Sequence, residues 1–454
     1  MGDSSQTTRT LLTEIWYPEK RSGVNQSATR ATFDDYTLGD QQACIASYFY
    51  FTADSVDPSR LPVGVTAEAA AQQAKENLCN KKPRNSFKLN KFGKIPTADP
   101  TGAPYPVVII LHGATIPRAI NGSMAENLVR QGYIVITPDH TGSVQVTMAG
   151  SPLDDTPEGV QNRANIQFLP GGLYPARYNV FEFDFTPEKV LRFADAVEQR
   201  FLDVKAVLKE LHDINNGLSH TETHLQGKMD LGHIGLVGLS LGSVVAQIAQ
   251  ATISEIDAYV VTGAVGLPEV RPLLPPAMLI QRPQNDPLLP PDPNQIPAHL
   301  QPTTVPFLYM VSGEDEVIAP FALYFGILGL APFPAPDNFF PSVRQLFEAA
   351  KGPAIFTKLA NIQHASYHDV EAFYFPELYK TEFPSILNFL GENRTYTLLD
   401  NNVIHSIRNI LLPAFFDRYL KGRQGALLPF KFAVFFAKLG LEVESRNLNC
   451  RSSC

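Results

Sequence analysis

Short, continuously apolar runs alternate along the chain with longer stretches whose apolar residues recur every three or four positions. Continuous apolar runs are typical of parallel strands that are covered on both faces of a sheet. The pattern predicts an N-terminal strand within RTLLTEIWYP. It also predicts strands at Pro106–Leu111, Tyr133–Thr137, His233–Gly238, Ala258–Gly263, Val305–Val311 and Ala354–Ala360.

The clearest helix is predicted in TPEKVLRFADAVEQRFLDVKAVLKEL, which begins at Thr186. Thr186 suits the N-cap, Pro187 the first helical position and Glu188 the positive end of the helix dipole. Alternating strands and helices predict an α/β fold with a doubly wound, mostly parallel sheet. Three- and four-residue steps predict one buried helix face at Val190, Ala194, Val197, Phe201, Val204, Leu208 and Leu211.

Three segments interrupt this alternation. We interpret them as an insertion at about 19–104 and as cap or lid segments at about 264–304 and 317–350, within a single domain over 1–454. Both caps follow predicted strands, so we expect them over the carboxyl ends of the sheet, where open α/β sheets bind ligands. The low-charge run Val317–Pro336 contains four prolines, which favour a cap over a membrane span.

The stretch IGLVGLSLGSVVAQIAQ places Ser240 between Gly238 and Gly242. G-x-S-x-G between a strand and a helix is typical of a nucleophile elbow, a sharp turn that raises a serine hydroxyl above the sheet. Small flanking residues are expected because larger side chains would clash with the neighbouring strand or helix. The alternative is a tight structural turn, but the flanking elements favour Ser240 as a nucleophile.

A serine hydroxyl becomes a good nucleophile only when a base accepts its proton. The loop after the last predicted strand provides His364, within NIQHASYHDV. His368 competes for this role. It lies deeper in the next element, however, where pairing with Asp369 or a solvated loop position suits it better.

The carboxylate that orients the base is predicted in the turn SGEDEVIAP, after the strand at Val305–Val311. Asp315 and Glu316 are alternatives for this acid. Residue type favours Asp315, whereas the spacing from Gly313 favours Glu316. The chain order serine, acid, histidine is that of α/β-hydrolases.

An oxyanion hole requires backbone N–H groups directed at developing negative charge. Leu241, directly after Ser240, is predicted to supply one N–H, and Ala114, in the turn after the strand at Pro106–Leu111, the other. Thr115 could add its hydroxyl. We expect His112 to brace this loop by hydrogen bonding rather than to act as a base.

Composition excludes several classes of function. The net charge of −8 and the lack of a basic run argue against a nucleic-acid partner. No phosphate loop or dinucleotide fingerprint is present, so we expect no cofactor. HTETH, at 220–224, lacks the H-E-x-x-H spacing and sits in a polar connection, so no metal is expected there either.

Four cysteines allow two local bridges, Cys44–Cys79 and Cys450–Cys454, which would suit an oxidising compartment. The alternative is four free thiols in the cytosol. The first residues, MGDSSQTTRT, have no apolar core, so no signal peptide is predicted within them. Because the two possible bridges suit an oxidising compartment, we nevertheless expect a secreted or periplasmic protein.

These motifs resemble the α/β-hydrolase superfamily, in its branch around platelet-activating-factor acetylhydrolases, dienelactone-hydrolase-like esterases and cutinase-like polyester hydrolases. The similarity covers roughly Thr10–Pro18, Pro104–Gly263 and patches from Val305 to about Gly422. The resemblance implies an α/β-hydrolase fold and a triad of Ser240, His364 and an acid. In order, the motifs are WYP, LHGAT, LVRQGYIVITPDHTGS, RFAD, GLSLGS, GEDEVIAP and QHASYHD.

Two departures from the polyester hydrolases matter. Their acid turn follows E-N-D-x-I-A-P, which sets Glu316 where their aspartate stands, so the resemblance favours Glu316 over Asp315. They carry an aromatic residue where this chain has Ala114, so their aromatic substrate clamp is not expected here. The insertion and the Pro-rich cap segment have no recognised counterpart.

The sequence thus predicts a serine carboxylic-ester hydrolase, esterase- or lipase-like, that acts through an acyl-enzyme. The apolar cap favours lipid-like or otherwise apolar acyl esters and is compatible with lipid degradation and a transient contact with a lipid surface. Acyl transfer to an alcohol and a non-catalytic hydrolase-fold binding module are the alternatives. The oligomeric state stays open.

Overall fold

The computed structural model describes residues 11–19, 69, 72, 75–80, 99, 101–114, 118–140, 186–219, 222–335, 338–364, 366–369, 382–427 and 437–448. Most of the predicted insertion at about 19–104 lies outside these ranges, as do Cys44, Cys450, Cys454, Thr115 and His220. Cys79 is disulfide-bonded. The predicted pairings stay predictions, since the other three cysteines are outside the described residues.

Eight strands form one sheet in the order β1-β3-β2-β4-β5-β6-β7-β10. The pairs from β3 through β2, β4, β5 and β6 to β7 are parallel, and the edge strands β1 and β10 are antiparallel to β3 and β7. A separate antiparallel pair is formed by β8 and β9. The strands are β1 (Thr13–Trp16), β2 (Tyr105–Leu111), β3 (Ile134–Pro138), β4 (Met229–Ser240), β5 (Ile256–Ala264), β6 (Phe307–Ser312), β7 (Ala354–Leu359), β8 (Glu382–Pro384), β9 (Thr395–Thr397) and β10 (Leu441–Arg446).

The helices are α1 (Gly122–Arg130), α2 (Pro187–Asn215), α3 (Leu241–Thr252), α4 (Pro276–Leu279), α5 (Ile318–Ile327), α6 (Pro341–Glu348) and α7 (Asn401–Tyr419). Short 3₁₀ helices span Arg118–Asn121, Thr223–Leu225, Arg271–Leu273, Ala298–Leu300 and Ile386–Leu390, and one π-helical turn spans Lys75–Cys79. Among the helices of the described ranges, none combines the length and apolarity that a membrane crossing requires.

The six central strands confirm the strands that the apolar runs predict. The predicted helix is confirmed as α2, with Thr186 as N-cap residue and Pro187 in the first turn, although the Thr186 side chain makes no capping bond. The edge strand β10, LEVESR, was not predicted, because its alternating charged residues lack a continuous apolar run.

Apolar side chains cover both faces of the sheet. Alternate residues of β2 point to opposite faces, so Ile109 packs in a core with α2 and α3, whereas Ile110 packs in a core with α1 and α7. Every residue of β2 is buried. The chain therefore has an α/β fold with a mostly parallel sheet and helices on both faces.

Strand order reverses around β2, because the chain passes from β2 to β3 on one side and from β4 through β7 on the other. The loops after β2 and β4 therefore leave neighbouring strands in opposite directions. Such a switch point opens a crevice at the carboxyl edge of a sheet, where ligands of open α/β folds bind. His112, Gly113 and Ala114 follow β2, and Ser240 ends β4.

Candidate active site

Ser240 stands on a strained turn between β4 and α3. Its backbone has a φ of 51° and a ψ of −120°, and the register of β4 against β5 shifts between Leu239 and Ser240. A residue with a side chain rarely adopts a positive φ, and such strain clusters at functional sites. The Ser240 side chain remains 8% exposed.

The glycines on both sides of Ser240 are sterically required. A Cβ on Gly238 would lie 2.4 Å from the carbonyl oxygen of Gly242, and a Cβ on Gly242 would lie 2.2 Å from that of Leu111. Both distances are too short for any side chain. This close packing of β4, α3 and β2 agrees with the expectation that small residues flank Ser240.

Ser243 fixes the turn from the first turn of α3. Its Oγ donates to the Ser240 carbonyl oxygen at 2.5 Å and accepts from the Val265 N–H at 3.0 Å. The hydroxyl therefore links the strained turn to the chain that leaves β5.

His364 lies in the loop after β7 and is nearly completely buried. A Cβ on Gly263 would lie 2.9 Å from His364 Cε1, so the ring packs directly on the backbone of β5. The next residue, Ala264, is the cross-strand partner of Ser240. The structure thus brings the ring of His364 to the strand beside Ser240, at the same edge of the sheet.

Asp315 contacts the His364 ring. Its Oδ2 lies 2.9 Å from His364 Nδ1, and its Oδ1 accepts from the N–H groups of Val317 at 3.2 Å and Ile318 at 2.8 Å. The carboxylate therefore caps the start of α5 while it holds the histidine. A short aspartate side chain reaches both partners from one position.

Glu316 takes a different role in the same turn. Its Oε2 accepts from the backbone N–H of His364 at 3.0 Å, whereas the imidazole Nδ1 is bonded to Asp315. The preference for Glu316 from the spacing and the resemblance does not match this geometry. Glu316 positions the main chain of the loop, whereas Asp315 meets the ring.

Glu314 is the third carboxylate of this turn and bonds a different segment of the chain. It is buried, accepts from the Ser385 hydroxyl and the Ile386 N–H at 3.0 Å, and pairs with Arg394 Nη2 at 2.8 Å. It therefore attaches the segment around β8 and β9 to the turn after β6.

His368 is buried rather than solvated, and it does not pair with Asp369. Its Nδ1 lies 2.8 Å from Asn121 Oδ1 and its Nε2 lies 3.0 Å from Thr262 Oγ1. Burial and the nearby Arg408 charge hold the pKa of His368 well below its usual value, so the ring is neutral. The expectation fails because the loop folds inward against β5, which local sequence does not reveal.

Asp369 instead accepts from the backbone N–H of Ser123 at 2.7 Å, at the start of α1, and also bonds the Ser123 hydroxyl. Burial raises its pKa to about 6, although Arg408 opposes this shift.

Ala114 and Leu241 both line the cavity that contains Ser240. Leu241 begins α3, where the first N–H groups of a helix have no intrahelical partner. His112 Nδ1 lies 2.7 Å from the Gly113 carbonyl oxygen, and His112 Nε2 accepts from the His140 N–H at 2.9 Å. Burial and Arg200 hold the pKa of His112 well below its usual value, so the neutral ring braces the loop as expected.

Arg200 was missed by the sequence interpretation. Its guanidinium donates to the carbonyl oxygens of His112 at 2.6 Å and Gly113 at 3.0 Å. The sequence does hold a sign of its role, because Arg200 is a charged residue between Val197 and Val204 on the predicted buried face of α2.

The cavity beside Ser240 has a volume of about 40 Å³. Apart from Ser240, the described residues that line it are all apolar. They come from the loop after β2, α2, α3, the chain after β5 and α5, and they are Ala114, Phe193, Leu241, Val244, Val265, Leu267, Val317, Ile318, Phe321 and Phe325. Such walls accept an uncharged, apolar group.

No protein-family model matches the chain, and no curated protein sequence matches it. Among solved structures, the chain is similar to a ferulic acid esterase from Streptomyces cinnamoneus, at 16% sequence identity and a TM-score of 0.43. The overlap covers 72% of this chain and 70% of the esterase. Overlap at this level decides neither a family nor a reaction for this chain.

Proposed function

We propose that the chain is a serine hydrolase of carboxylic esters with an α/β-hydrolase fold and a triad of Ser240, His364 and Asp315. The observation that carries the proposal is the buried Asp315–His364 pair, 2.9 Å apart, beside the strained Ser240 turn. This geometry supports Asp315 as the acid, and Glu316 as a support for the loop that carries His364.

In the proposed reaction, Ser240 Oγ attacks the acyl carbonyl while His364 accepts its proton. Asp315 holds the imidazole in the tautomer with a proton on Nδ1 and stabilises the imidazolium that forms. The N–H groups of Ala114 and Leu241 stabilise the oxyanion, each donor worth about 3–4 kcal/mol. The proton then passes to the leaving alcohol, and water repeats the sequence to release the acid from the acyl-enzyme.

The cavity supports esters with an apolar acyl group as substrates. Because its described walls are apolar beyond Ser240, a charged group would lose its hydration without gaining a partner there. Phe321 and Phe325 of α5 line this cavity, and further along the chain Ile327 and Phe333 are 66% and 56% exposed. This exposed apolar surface supports lipid-like substrates and a transient contact with a lipid surface.

The Ser240→Ala variant tests the proposal. It should reduce turnover of p-nitrophenyl butyrate at least about 10³-fold and abolish covalent labelling by a fluorophosphonate, because no hydroxyl remains to attack. Ser406→Ala is the matched control, since Ser406 is an exposed serine on α7 whose hydroxyl donates to the Asn402 carbonyl. It should label and turn over like the unmodified protein.

A folded, unmodified protein that neither hydrolyses the ester nor takes the label would overturn the proposal. It would favour a non-catalytic binding module. Labelling with transfer of the acyl group to added alcohol, rather than to water, would instead favour an acyltransferase.

A further inference from the structure

Arg200 is completely buried on the face of α2 that turns toward the sheet. Removing a guanidinium from water is costly, and an apolar side chain of similar volume often serves stability as well or better. Phe193 lies seven residues earlier, two helical turns away on the same face, and lines the cavity. A buried charge beside the candidate site therefore calls for an explanation beyond packing.

Two hydrogen bonds from Arg200 determine how the loop after β2 is turned. The guanidinium donates to the carbonyl oxygens of His112 and Gly113. In a trans peptide the N–H points opposite to the C=O. Because the Gly113 carbonyl points to Arg200, the Ala114 N–H is turned away from Arg200, and Ala114 lines the cavity beside Ser240.

A second residue of α2 holds the same loop. Asp203 lies three residues after Arg200, on the same helix face, and its Oδ2 lies 2.8 Å from His140 Nδ1. The backbone N–H of His140 donates in turn to His112 Nε2 at 2.9 Å. The loop after β2 is therefore attached to α2 at two points.

We propose that Arg200 is a positioning residue of this hydrolase, which aims and polarises the Ala114 N–H for the oxyanion. A charged donor on the Gly113 carbonyl strengthens the N–H of the same peptide unit, because hydrogen bonds along a chain polarise one another. The buried positive charge also favours the negative oxygen that forms in the transition state. The inference rests on the proposed function and deepens it.

The test compares Arg200→Lys and Arg200→Met in ester hydrolysis. Arg200→Met should lower kcat about 10- to 100-fold while KM changes less than about threefold, since the oxyanion exists only in the transition state. Arg200→Lys keeps the positive charge but not the bidentate hydrogen bonding. Its kcat should therefore lie between those of Arg200→Met and the unmodified protein. The inhibition constant of an alkyl trifluoromethyl ketone, whose adduct with Ser240 carries an oxyanion, should rise as kcat/KM falls.

Arg344→Met is the matched control. Arg344 stacks on the Phe356 ring at 4.3 Å and pairs with Glu444 on the edge strand β10, away from the loop after β2. This variant should keep kcat and the inhibition constant of the unmodified protein.

If Arg200→Met does not fold, Asp203→Asn tests the same attachment with Arg200 in place, and kcat should fall about 3- to 10-fold at constant KM. A folded Arg200→Met or Asp203→Asn with normal kcat, or with equal affinity for the ketone, would overturn the inference. An unmodified protein without turnover or fluorophosphonate labelling would overturn the proposed function, and this inference with it.

Discussion

The three neighbouring carboxylates in the turn after β6 bind different groups. Glu314 binds Ser385 and Arg394, Asp315 the ring of His364, and Glu316 the backbone of His364. The side chains diverge because the chain turns sharply between β6 and α5. At the scale of single residues, one position along the chain thus separates the carboxylate that contacts the imidazole from the carboxylate that holds the loop backbone.

Asp315→Asn should lower kcat about 10³- to 10⁴-fold. An amide can offer an N–H to Nδ1 and favour the wrong tautomer, and it cannot stabilise the imidazolium. Glu316→Gln keeps an acceptor for the His364 N–H and should stay within about threefold of the unmodified protein. Steady-state hydrolysis measures both.

Both variants replace a carboxylate by an amide, and they do so at adjacent positions. Each is therefore the control for the other. A larger loss for Glu316→Gln than for Asp315→Asn would show that the acid is Glu316 and that the loop rearranges during catalysis.

At the scale of elements, the loop after β7 connects the candidate base to three parts of the fold. His364 packs on β5, and His368 lies between Asn121, just before α1, and Thr262 of β5. Asp369 reaches Ser123 of α1. Arg408 of α7 completes the network, because its guanidinium donates to the Tyr367 carbonyl at 2.7 Å and to the Ser123 hydroxyl at 2.9 Å.

Asp369 should give this network a recognisable dependence on pH. Because its pKa rises from 3.8 to about 6 on folding, the native state binds a proton more tightly than the unfolded state between these values. The contribution of Asp369 to the free energy of unfolding should therefore fall by about 2 kcal/mol as pH rises from about 4 to about 6.

Urea unfolding of the unmodified protein and of Asp369→Asn, at several pH values, measures this contribution. The difference in unfolding free energy, unmodified protein minus variant, should decrease over that range and then level off. A difference that increases with pH would mean that the pairing with Arg408 outweighs burial.

At the scale of the whole molecule, Arg282 attaches the Pro-rich segment after β5 to α2. Arg282 donates to Asp195 at 2.6 Å and to Glu198 at 3.3 Å on α2, and to Asp286 within the segment at 2.7 Å. The segment begins with Val265 and Leu267, which line the cavity. This attachment therefore joins a cavity wall to the helix that carries Arg200.

Arg282→Met should increase the rate of limited proteolysis between residues 283 and 297 about tenfold under native conditions. Charge-assisted hydrogen bonds of a partly buried arginine are worth about 1.5–3 kcal/mol, and local opening depends on such contacts. Mapping of the first cleavage products by mass spectrometry measures the effect. Arg344→Met, which removes a pair with Glu444 on the edge strand β10, should leave this rate unchanged, and an equal increase in both variants would point to global destabilisation.

The amino-acid pattern alone was sufficient for the central strands, for α2 and for the turn at Ser240. These features depend on neighbours in the chain, since an apolar run makes a buried strand and a helical period makes a buried face. The glycines beside Ser240 belong with them, because the sharp turn itself demands small residues.

Only the tertiary structure decided which carboxylate contacts the His364 ring, that His368 is buried, and that Arg200 binds the loop after β2. Each of these contacts joins segments that are distant in the chain, and the direction of a loop side chain depends on the partner that the fold brings to it. The edge strand β10 belongs here as well, because its alternating charges become a strand only through pairing with β7.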